Sequence, residues 1–443
     1  MSEGSPAVAT TAAGAPMPQR LSAALATLRR WKGRLLFAFA DQGLSSAANF
    51  ALTILYAVSL PIEAFGRYVV VWTAALFIEA IQTALVIDAL PAINSRYGRR
   101  NQRQFDGATV WVMAGFCLGS SALLALAAVI LSEAFPSYTV PLLVLALVNP
   151  AQRFYLFFRR LCYIRDRQAV AAAAAAAYAI ASVCGALALI TLQALSVSTA
   201  IAVSGLGAIA AIAVCLLFGV GRAVRSRPSR ALWLTAEIWR ASRWLTPAAI
   251  MAWLITWGIF PLIAAIAGPA AAGIVRALQN LLTPVVQFNA ALNLAFLPRV
   301  ADNVADRGNG YARRFTRHGT AIFTGSALVY CAAIIAAAPV ILPMIYRKPE
   351  IAASAALLWP LSLTIVCEAA RGASSIALLA TRRTRIVFFA RIAALAAFAG
   401  AGAILGLMMN DVGILWANAI GTAVGATVVM VAAMRPPPSA PAR

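Results

Sequence analysis

Long apolar stretches separated by short polar breaks make up most of this chain. A membrane-spanning helix needs about 20 mostly apolar residues, because the hydrocarbon layer is roughly 30 Å thick and a helix rises about 1.5 Å per residue. Backbone polar groups in lipid must bond to one another, so each stretch is predicted to be a helix. About twelve spans are predicted, near residues 35–58, 68–91, 109–132, 138–158, 168–192, 197–219, 244–267, 270–297, 318–338, 351–380, 386–408 and 412–434.

Basic residues are concentrated in every second break, which is the positive-inside pattern of membrane proteins. The basic residues of the intervening, outer breaks are only three, namely Arg67, Arg347 and Lys348. With twelve spans, every arginine-rich break lies on the same side of the membrane. One span more or fewer would place all later arginine-rich breaks on the opposite side. The sequence therefore predicts a multi-pass membrane protein with both termini in the cytoplasm.

The composition agrees with this class of protein. Hydrophobic residues make up 62% of the 443 positions and charged residues 11%, whereas soluble domains are about half apolar and about a quarter charged. The net charge of +22 is compatible with nucleic-acid binding, but the basic residues follow the alternate breaks, so we predict no nucleic-acid partner. Six scattered cysteines lack CxxC spacing and are expected to be small apolar residues. We predict no metal site and no cofactor.

The two halves of the chain repeat one pattern of glycine and proline. Gly66 opens the second span and Pro91 closes it, and Gly273 and Pro298 bound the eighth span with the same separation. Six spans in each half is an even number, so both halves have the same orientation. Parallel repeats of this kind enclose a substrate path between them. The predicted fold class is all-α, with two parallel six-helix lobes.

The domain boundaries follow from this repeat. Residues 1–34 are predicted to form a disordered tail rich in small residues, followed by an amphipathic helix on the inner membrane surface. The N-terminal lobe is expected at 35–220 and the C-terminal lobe at 244–434. A cytoplasmic linker at 221–243 joins them, and 435–443 form the C-tail.

Polar residues in the predicted eighth span fall on one helical stripe. Ionisable groups in hydrocarbon cost at least about 2.5–3.5 kcal/mol each, so they normally face a bundle interior or a wet cavity. An arginine among amide and hydroxyl groups suits a phosphate or a sugar better than an apolar drug. The alternative is hydrogen bonding between helices. The stripe, which we predict to line the substrate cavity, comprises Arg276, Gln279, Asn280, Thr283 and Gln287.

Polar residues in the first and tenth spans extend this predicted cavity. Gln42 and Asn49 lie on one face of the first span and are expected to contact substrate. Arg371 in the tenth span is a further cavity residue, and Glu368 is a candidate for binding a coupling ion. Their i,i+3 spacing also favours an intrahelical ion pair.

Acidic residues in the first two spans have two interpretations. Asp41 and Glu79 are candidates for binding a coupling H⁺ or Na⁺. They are equally able to pair with arginines such as Arg276 or Arg153, and Arg153 can alternatively snorkel to the cytoplasmic headgroups. Asp88 lies near the inner surface, which favours an interfacial role.

Glycines spaced four residues apart in the spans indicate close helix packing. The pairs are Gly115 with Gly119, Gly402 with Gly406, and Gly421 with Gly425.

Two segments resemble the bacterial polysaccharide exporters. The first is DQGLSSAANFALTILYAVSLPIEAFGRY at 41–68, where a polar span precedes a short outer turn ending in E-x-F-G-x-Y. The second is GIVRALQNLLTPVVQFNAALNLAFLPRV at 273–300, which is similar to the matching stretch of the second lobe. The resemblance covers most of the chain and extends to the multidrug/oligosaccharidyl-lipid/polysaccharide exporter superfamily, of which these exporters are part.

This resemblance implies a V-shaped, MATE-like pair of lobes that alternate access to a central cavity. The implied activity is the flipping of polyprenyl-pyrophosphate-linked oligosaccharide across the bacterial cytoplasmic (inner) membrane, for exopolysaccharide, capsule or O-antigen synthesis. The implied partners are this lipid-linked substrate, membrane lipids and polysaccharide assembly proteins. Energy would come from H⁺, Na⁺ or the membrane potential, because the chain has no GxxxxGK[ST] phosphate-binding loop.

Other function classes stay open at this point. A drug or metabolite exporter of the same superfamily fits the fold equally well. A major facilitator also has twelve spans in two parallel halves, but Ser95 and Pro91 depart from that family's loop motif. Flippases of peptidoglycan precursors usually have additional spans. A membrane-embedded polymerase needs a large outer loop, which these short outer breaks do not provide, so we do not expect an enzyme.

Overall fold

The computed structural model describes residues 17–97, 102–220, 229–381 and 383–435, and every regular element in these ranges is helical. The predicted disordered start of the chain, residues 1–16, and the C-tail beyond 435 lie outside the described residues. A helix does begin at Met17, but the predicted amphipathic face of its first part lies outside the described side chains.

Eight helical elements form the N-terminal part of the described chain. Residues Thr83–Ile87 continue the second helix as one π-helical segment. The α-helices are α1 (Met17–Ser59), α2 (Ile62–Gln82), α3 (Leu90–Tyr97), α4 (Gln102–Ile130), α5 (Pro136–Ile164), α6 (Gln168–Thr191) and α7 (Val197–Leu217).

The remaining α-helices form the linker and the C-terminal part. A short 3₁₀ turn at Ala355–Leu357 leads into the fourteenth helix. The helices are α8 (Ser229–Ser242), α9 (Leu245–Thr256), α10 (Ile259–Ala267), α11 (Pro269–Arg307), α12 (Asn309–Tyr346), α13 (Pro349–Ala353), α14 (Leu358–Ala380) and α15 (Thr384–Met434).

Helices able to cross a membrane match eleven of the twelve predicted spans. Within the described residues, nine helices are long and apolar enough to cross a membrane, and α9 with α10 forms a tenth span bent by 41°. The 51-residue α15 is interrupted at Asn410, whose backbone has a φ of 51°, and so contains two predicted spans. The second half of α1, predicted as the polar first span, is not among the helices that meet this criterion. The chain is therefore a multi-pass helical membrane protein.

Several predicted boundaries were displaced. Hydropathy placed the start of the second span at residue 68, but α2 begins directly after Pro61, a residue suited to a helix start. The ninth span was predicted at 318–338, whereas α12 continues to Tyr346 and begins at Asn309 in the polar break. Helices continue beyond the hydrocarbon because their backbone bonds do not depend on lipid.

The helices pack as two groups with a limited set of contacts between them. In the N-terminal lobe α1 packs on α6, α6 on α7, and α5 on both α4 and α7. In the C-terminal lobe α14 packs on α11, α12 and α15. The two lobes meet mainly through α2 and α11, with smaller contacts from α1 to α11 and from α2 to α9 and α10. This arrangement confirms the two-lobe fold class.

The repeated glycines of the two lobes meet at the end of this contact that the charge pattern predicts to face outward, here named the outer side. A Cβ on Gly66 would lie 1.7 Å from the carbonyl oxygen of Pro269, and one on Gly273 would lie 2.9 Å from that of Ile62. Only glycine permits two backbones to approach this closely. The Lys348 ammonium group also donates to the Leu60 carbonyl across the lobes. The outer side is thus closed.

The glycine pairs in the spans divide into two kinds. Cβ atoms on Gly421 and Gly425 would lie 2.7 Å from the Ala394 carbonyl oxygen and 2.9 Å from the Ala394 Cβ, so these glycines do mark close packing. Gly402 and Gly406 make ordinary contacts only. The prediction for Gly115 and Gly119 was wrong, because nothing in the described structure lies within 4 Å of their Cβ positions. Spacing alone does not show which face of a helix meets a partner.

Candidate functional site

Arg276 lies on α11 at the interface of the two lobes. It is seven residues from the outer start of the helix, or about 10 Å at about 1.5 Å per residue. Its guanidinium donates to the Gln279 side chain (Nη1–Oε1 2.8 Å) and lies 5.1 Å from the centre of the Trp257 ring. Tyr68 of α2 and Tyr346 of α12 lie close enough to interact with it electrostatically.

The charge of Arg276 has no acidic partner among the described residues. No carboxylate lies within 4.0 Å of its guanidinium there, although four other arginines in the spans or at their ends, Arg153, Arg159, Arg160 and Arg371, do form such pairs. Its hydrogen-bond and ring partners, Gln279 and Trp257, are both neutral. Burying an unpaired charge is costly, so a half-buried free guanidinium favours binding of an anion.

The rest of the predicted α11 stripe lies between this arginine and the inner side. The Asn280 amide donates to the Phe50 carbonyl of α1 (Nδ2–O 3.3 Å), and the Thr283 hydroxyl bonds to the Gln279 carbonyl (3.4 Å). Gln287 is half-buried. The structure thus assigns Asn280 to helix contact, as the alternative interpretation of the stripe expected.

Inward of the Asn280 contact, α1 and α11 both expose side chains. Gln42 and Asn49 of α1 are exposed, and Phe288 of α11 is 52% exposed. The two helices therefore touch at the Asn280 contact but leave polar and apolar side chains uncovered toward the predicted inner side.

Asp41 forms a buried ion pair with an arginine that lies just beyond the predicted span 138–158, within the last turns of α5. The Asp41 carboxylate is fully buried and accepts from Arg159 Nε at 2.9 and 2.8 Å and from the Tyr163 hydroxyl at 2.6 Å. Arg159 also donates to Gln42 (3.1 Å). Asp41 is therefore paired with an arginine, as one of its two interpretations expected. The arginine is Arg159 and not Arg276 or Arg153.

Replacing Asp41 with asparagine is expected to destabilise the protein by about 3 kcal/mol. Removing one partner of a buried pair leaves the other charge uncompensated at a cost of about 3–5 kcal/mol, and the Arg159 side chain is 20% exposed, which favours the lower end. Thermal unfolding in detergent measures this change. Asp88→Asn is the matched control, because its 3.8 Å pair with Arg160 is largely exposed and worth at most about 1 kcal/mol. Equal stability of the Asp41 variant and the wild type would contradict this role.

Glu79 belongs to a second polar cluster in the N-terminal lobe. Arg153 is 2% exposed and lies 3.6 Å from the Glu79 carboxylate. It also donates to Gln82 (3.3 Å) and Gln152 (3.4 Å). Snorkelling of Arg153 to the headgroups was therefore wrong, because a carboxylate and two amides satisfy it within the lobe. The Glu79 side chain is 40% exposed, so this acid stays reachable.

Glu368 and Arg371 form the intrahelical pair that their spacing predicted, with Arg371 Nε 3.0 Å from the Glu368 carboxylate. They line a pocket between α9, α14 and α15 that does not include Arg276.

At the inner end of the N-terminal lobe, burial raises the pKa of Asp88, and Arg160 opposes that shift.

Three important residues were missed from the sequence. Trp257 lies at the bend between α9 and α10, Arg159 lies in the last turns of α5, and Arg391 lies in α15. Only Arg391 carried a signal, since it is a charge inside a predicted span.

No group of three or more His, Cys, Asp or Glu residues that could hold a metal ion occurs in the described part of the chain.

No protein-family model matches the chain, and no curated protein matches it. Solved structures match its fold. An inward-facing multidrug resistance transporter of the MATE family, in the MOP superfamily, has a TM-score of 0.72 at 13% identity, covering 89% of this chain and 97% of that one. The lipid II flippase MurJ in an inward closed conformation has a TM-score of 0.68 at 14% identity, covering 90% and 87%.

An outward-facing MATE family transporter gives a TM-score of 0.58 at 14% identity, covering 90% of this chain and 93% of that one. The chain therefore has the fold of the MATE and MurJ transporters of the MOP superfamily.

Proposed function

We propose that this protein flips polyprenyl-pyrophosphate-linked oligosaccharide across the bacterial cytoplasmic membrane by alternating access. Both termini then lie in the cytoplasm, and the cargo serves synthesis of exopolysaccharide, capsule or O-antigen. The protein acts as a transporter and not as an enzyme. Its partners are the lipid-linked substrate, surrounding lipids, a coupling ion or the membrane potential, and polysaccharide assembly proteins.

The free guanidinium of Arg276 is the observation that carries this proposal. A pyrophosphate is anionic and accepts charge-assisted hydrogen bonds, which are the strongest that an arginine forms. Gln279 holds the guanidinium in place by one hydrogen bond and leaves its other donors for substrate. The amide groups of Gln42, Asn49 and Gln287 supply hydrogen-bonding walls for sugars.

The exposed inner halves of α1 and α11 support a lateral route for the lipid tail. Apolar side chains such as Phe288 of α11 and amides such as Gln42 of α1 are both exposed there. A prenyl chain stays in the bilayer while its headgroup enters between the lobes. An apolar tail and a polar headgroup thus each meet a matching surface.

A drug exporter is the second candidate, and one observation favours it. Aromatic rings cluster beside Arg276: Tyr68 stacks on Trp72 with ring centres 5.9 Å apart, and Trp257 lies under the guanidinium. Planar drugs bind such rings readily. Against this, a free guanidinium repels cationic drugs, so this candidate requires a neutral or anionic drug.

Deletion of the gene tests the proposal. We expect the deletion strain to accumulate polyprenyl-linked oligosaccharide on the cytoplasmic side, because synthesis continues while transfer stops. Extraction of lipid-linked glycans and their analysis by mass spectrometry measures this. Normal surface glycan, no accumulation and a new sensitivity to planar drugs would favour the drug exporter.

A further inference from the structure

We propose that the C-terminal lobe contains a second anion site, which binds a carboxylate. The site is the pocket between α9, α14 and α15, here named the C-lobe pocket. It is lined by Arg371 and Arg391, by Glu368, by the hydroxyl residues Thr256 and Thr422, and by apolar walls that include Val387 and Ala394. This inference concerns residues apart from Arg276 and does not depend on the cargo proposed above.

Arg391 is the first observation. Its guanidinium is half-buried and forms no hydrogen bond or ion pair within 4.0 Å among the described residues. It lies close enough to both Arg371 and Glu368 to interact with them electrostatically. Glu368 is already bonded by Arg371, so two guanidinium groups share one carboxylate. The cluster carries one uncompensated positive charge, which one monoanion would neutralise.

Thr422 supplies an independent observation from another helix segment. It is 2% exposed, and its hydroxyl has no hydrogen-bond partner in the described structure although it lines the same pocket. A buried hydroxyl without a partner costs free energy. A bound oxygen atom from a ligand would satisfy this hydroxyl and Arg391 together.

The chemistry of the pocket favours a carboxylate over a spherical anion. A guanidinium presents parallel N–H donors that match the two oxygens of a carboxylate. The apolar walls lower the local dielectric constant and strengthen that contact. The cavity volume of about 20 Å³ accommodates the carboxylate group alone. That group belongs either to a free small acid or to an acidic sugar on the transported molecule, the rest of which would lie outside the pocket.

Calorimetric titration of the purified full-length protein in detergent tests this site. The probes are sodium acetate and sodium glucuronate, with sodium chloride and glucose as controls. We expect saturable binding of both carboxylates and at least tenfold weaker binding of chloride and glucose. Equal affinity for acetate and glucuronate identifies a free acid as the ligand, whereas tighter glucuronate binding identifies an acidic sugar.

The variants separate binding from folding. Arg391→Gln is expected to weaken carboxylate binding at least tenfold, Arg391→Lys to weaken it less, and Thr422→Val to weaken it about threefold, since the last two keep charge or shape. Arg385→Gln, an exposed arginine of the same helix, should bind as the wild type does. Wild-type affinity in both Arg391→Gln and Thr422→Val, with elution profiles unchanged, would overturn the proposal, as would chloride binding as tight as acetate.

Discussion

Replacing Arg276 with alanine is expected to abolish export while the protein still inserts and accumulates normally. Charge-assisted hydrogen bonds contribute about 1.5–3 kcal/mol each, so losing even one lowers substrate affinity by at least about tenfold. The side chain has no carboxylate partner among the described residues, so its removal leaves no buried acid behind. Complementation of the deletion strain, scored as surface polysaccharide against protein in the membrane, measures the effect.

Two further substitutions make this result specific. Arg276→Lys keeps the positive charge but loses the paired donors, so it should restore part of the export. Arg299→Ala removes an exposed arginine from the inner part of the same helix and should export normally. Full export by the Arg276→Ala variant would contradict the proposed role of Arg276 in binding the anionic substrate.

Replacing Gly66 with alanine is expected to prevent closure of the outer side and to lower transport at least tenfold. The added Cβ would lie 1.7 Å from a backbone oxygen of Pro269. No side-chain rotation relieves a clash between a Cβ and backbone, and packed interiors tolerate little added volume. The lobes must then separate at their outer ends, which disfavours the inward-facing state.

Labelling from the outer side reports this change directly. A cysteine at Thr73, which is 3% exposed and lies farther along α2, should react with a membrane-impermeant maleimide in the Gly66→Ala background and stay protected otherwise. Gly43→Ala on α1 is the matched control, since nothing lies within 4 Å of its Cβ position. Normal transport and continued protection in the Gly66 variant would show that the contact is not a gate.

Hydropathy and charge were sufficient to predict most of the fold. All predicted spans except the first match helices long and apolar enough to cross lipid, and a break at Asn410 separates two of them within one continuous helical element. The Gly66 and Gly273 repeat indicated that the two halves are equivalent and have the same orientation. That their backbones touch each other was not predictable, because a repeat shows equivalence and not contact.

The pairing of buried charges was less predictable. Asp41 and Arg159 are far apart in sequence, on α1 and α5. The pattern along a single helix does not show which side chains of two different helices come together. Arg159 directly follows the predicted span 138–158, so hydropathy places it in a loop. The helix α5 nevertheless continues to Ile164 and includes Arg159. By contrast, Glu368 and Arg371 were predicted correctly because both lie on one helix, where spacing determines distance.

The most direct test of the central claim is a flipping measurement with purified protein in proteoliposomes. The vesicles carry polyprenyl-pyrophosphate-linked oligosaccharide, and the fraction of glycan reached by an external glycosidase is followed over time. The account predicts that wild-type protein makes the inner-leaflet pool accessible and that Arg276→Ala vesicles behave like protein-free ones. Protein-free behaviour of the wild type, in vesicles where the same preparation moves a planar drug, would contradict it.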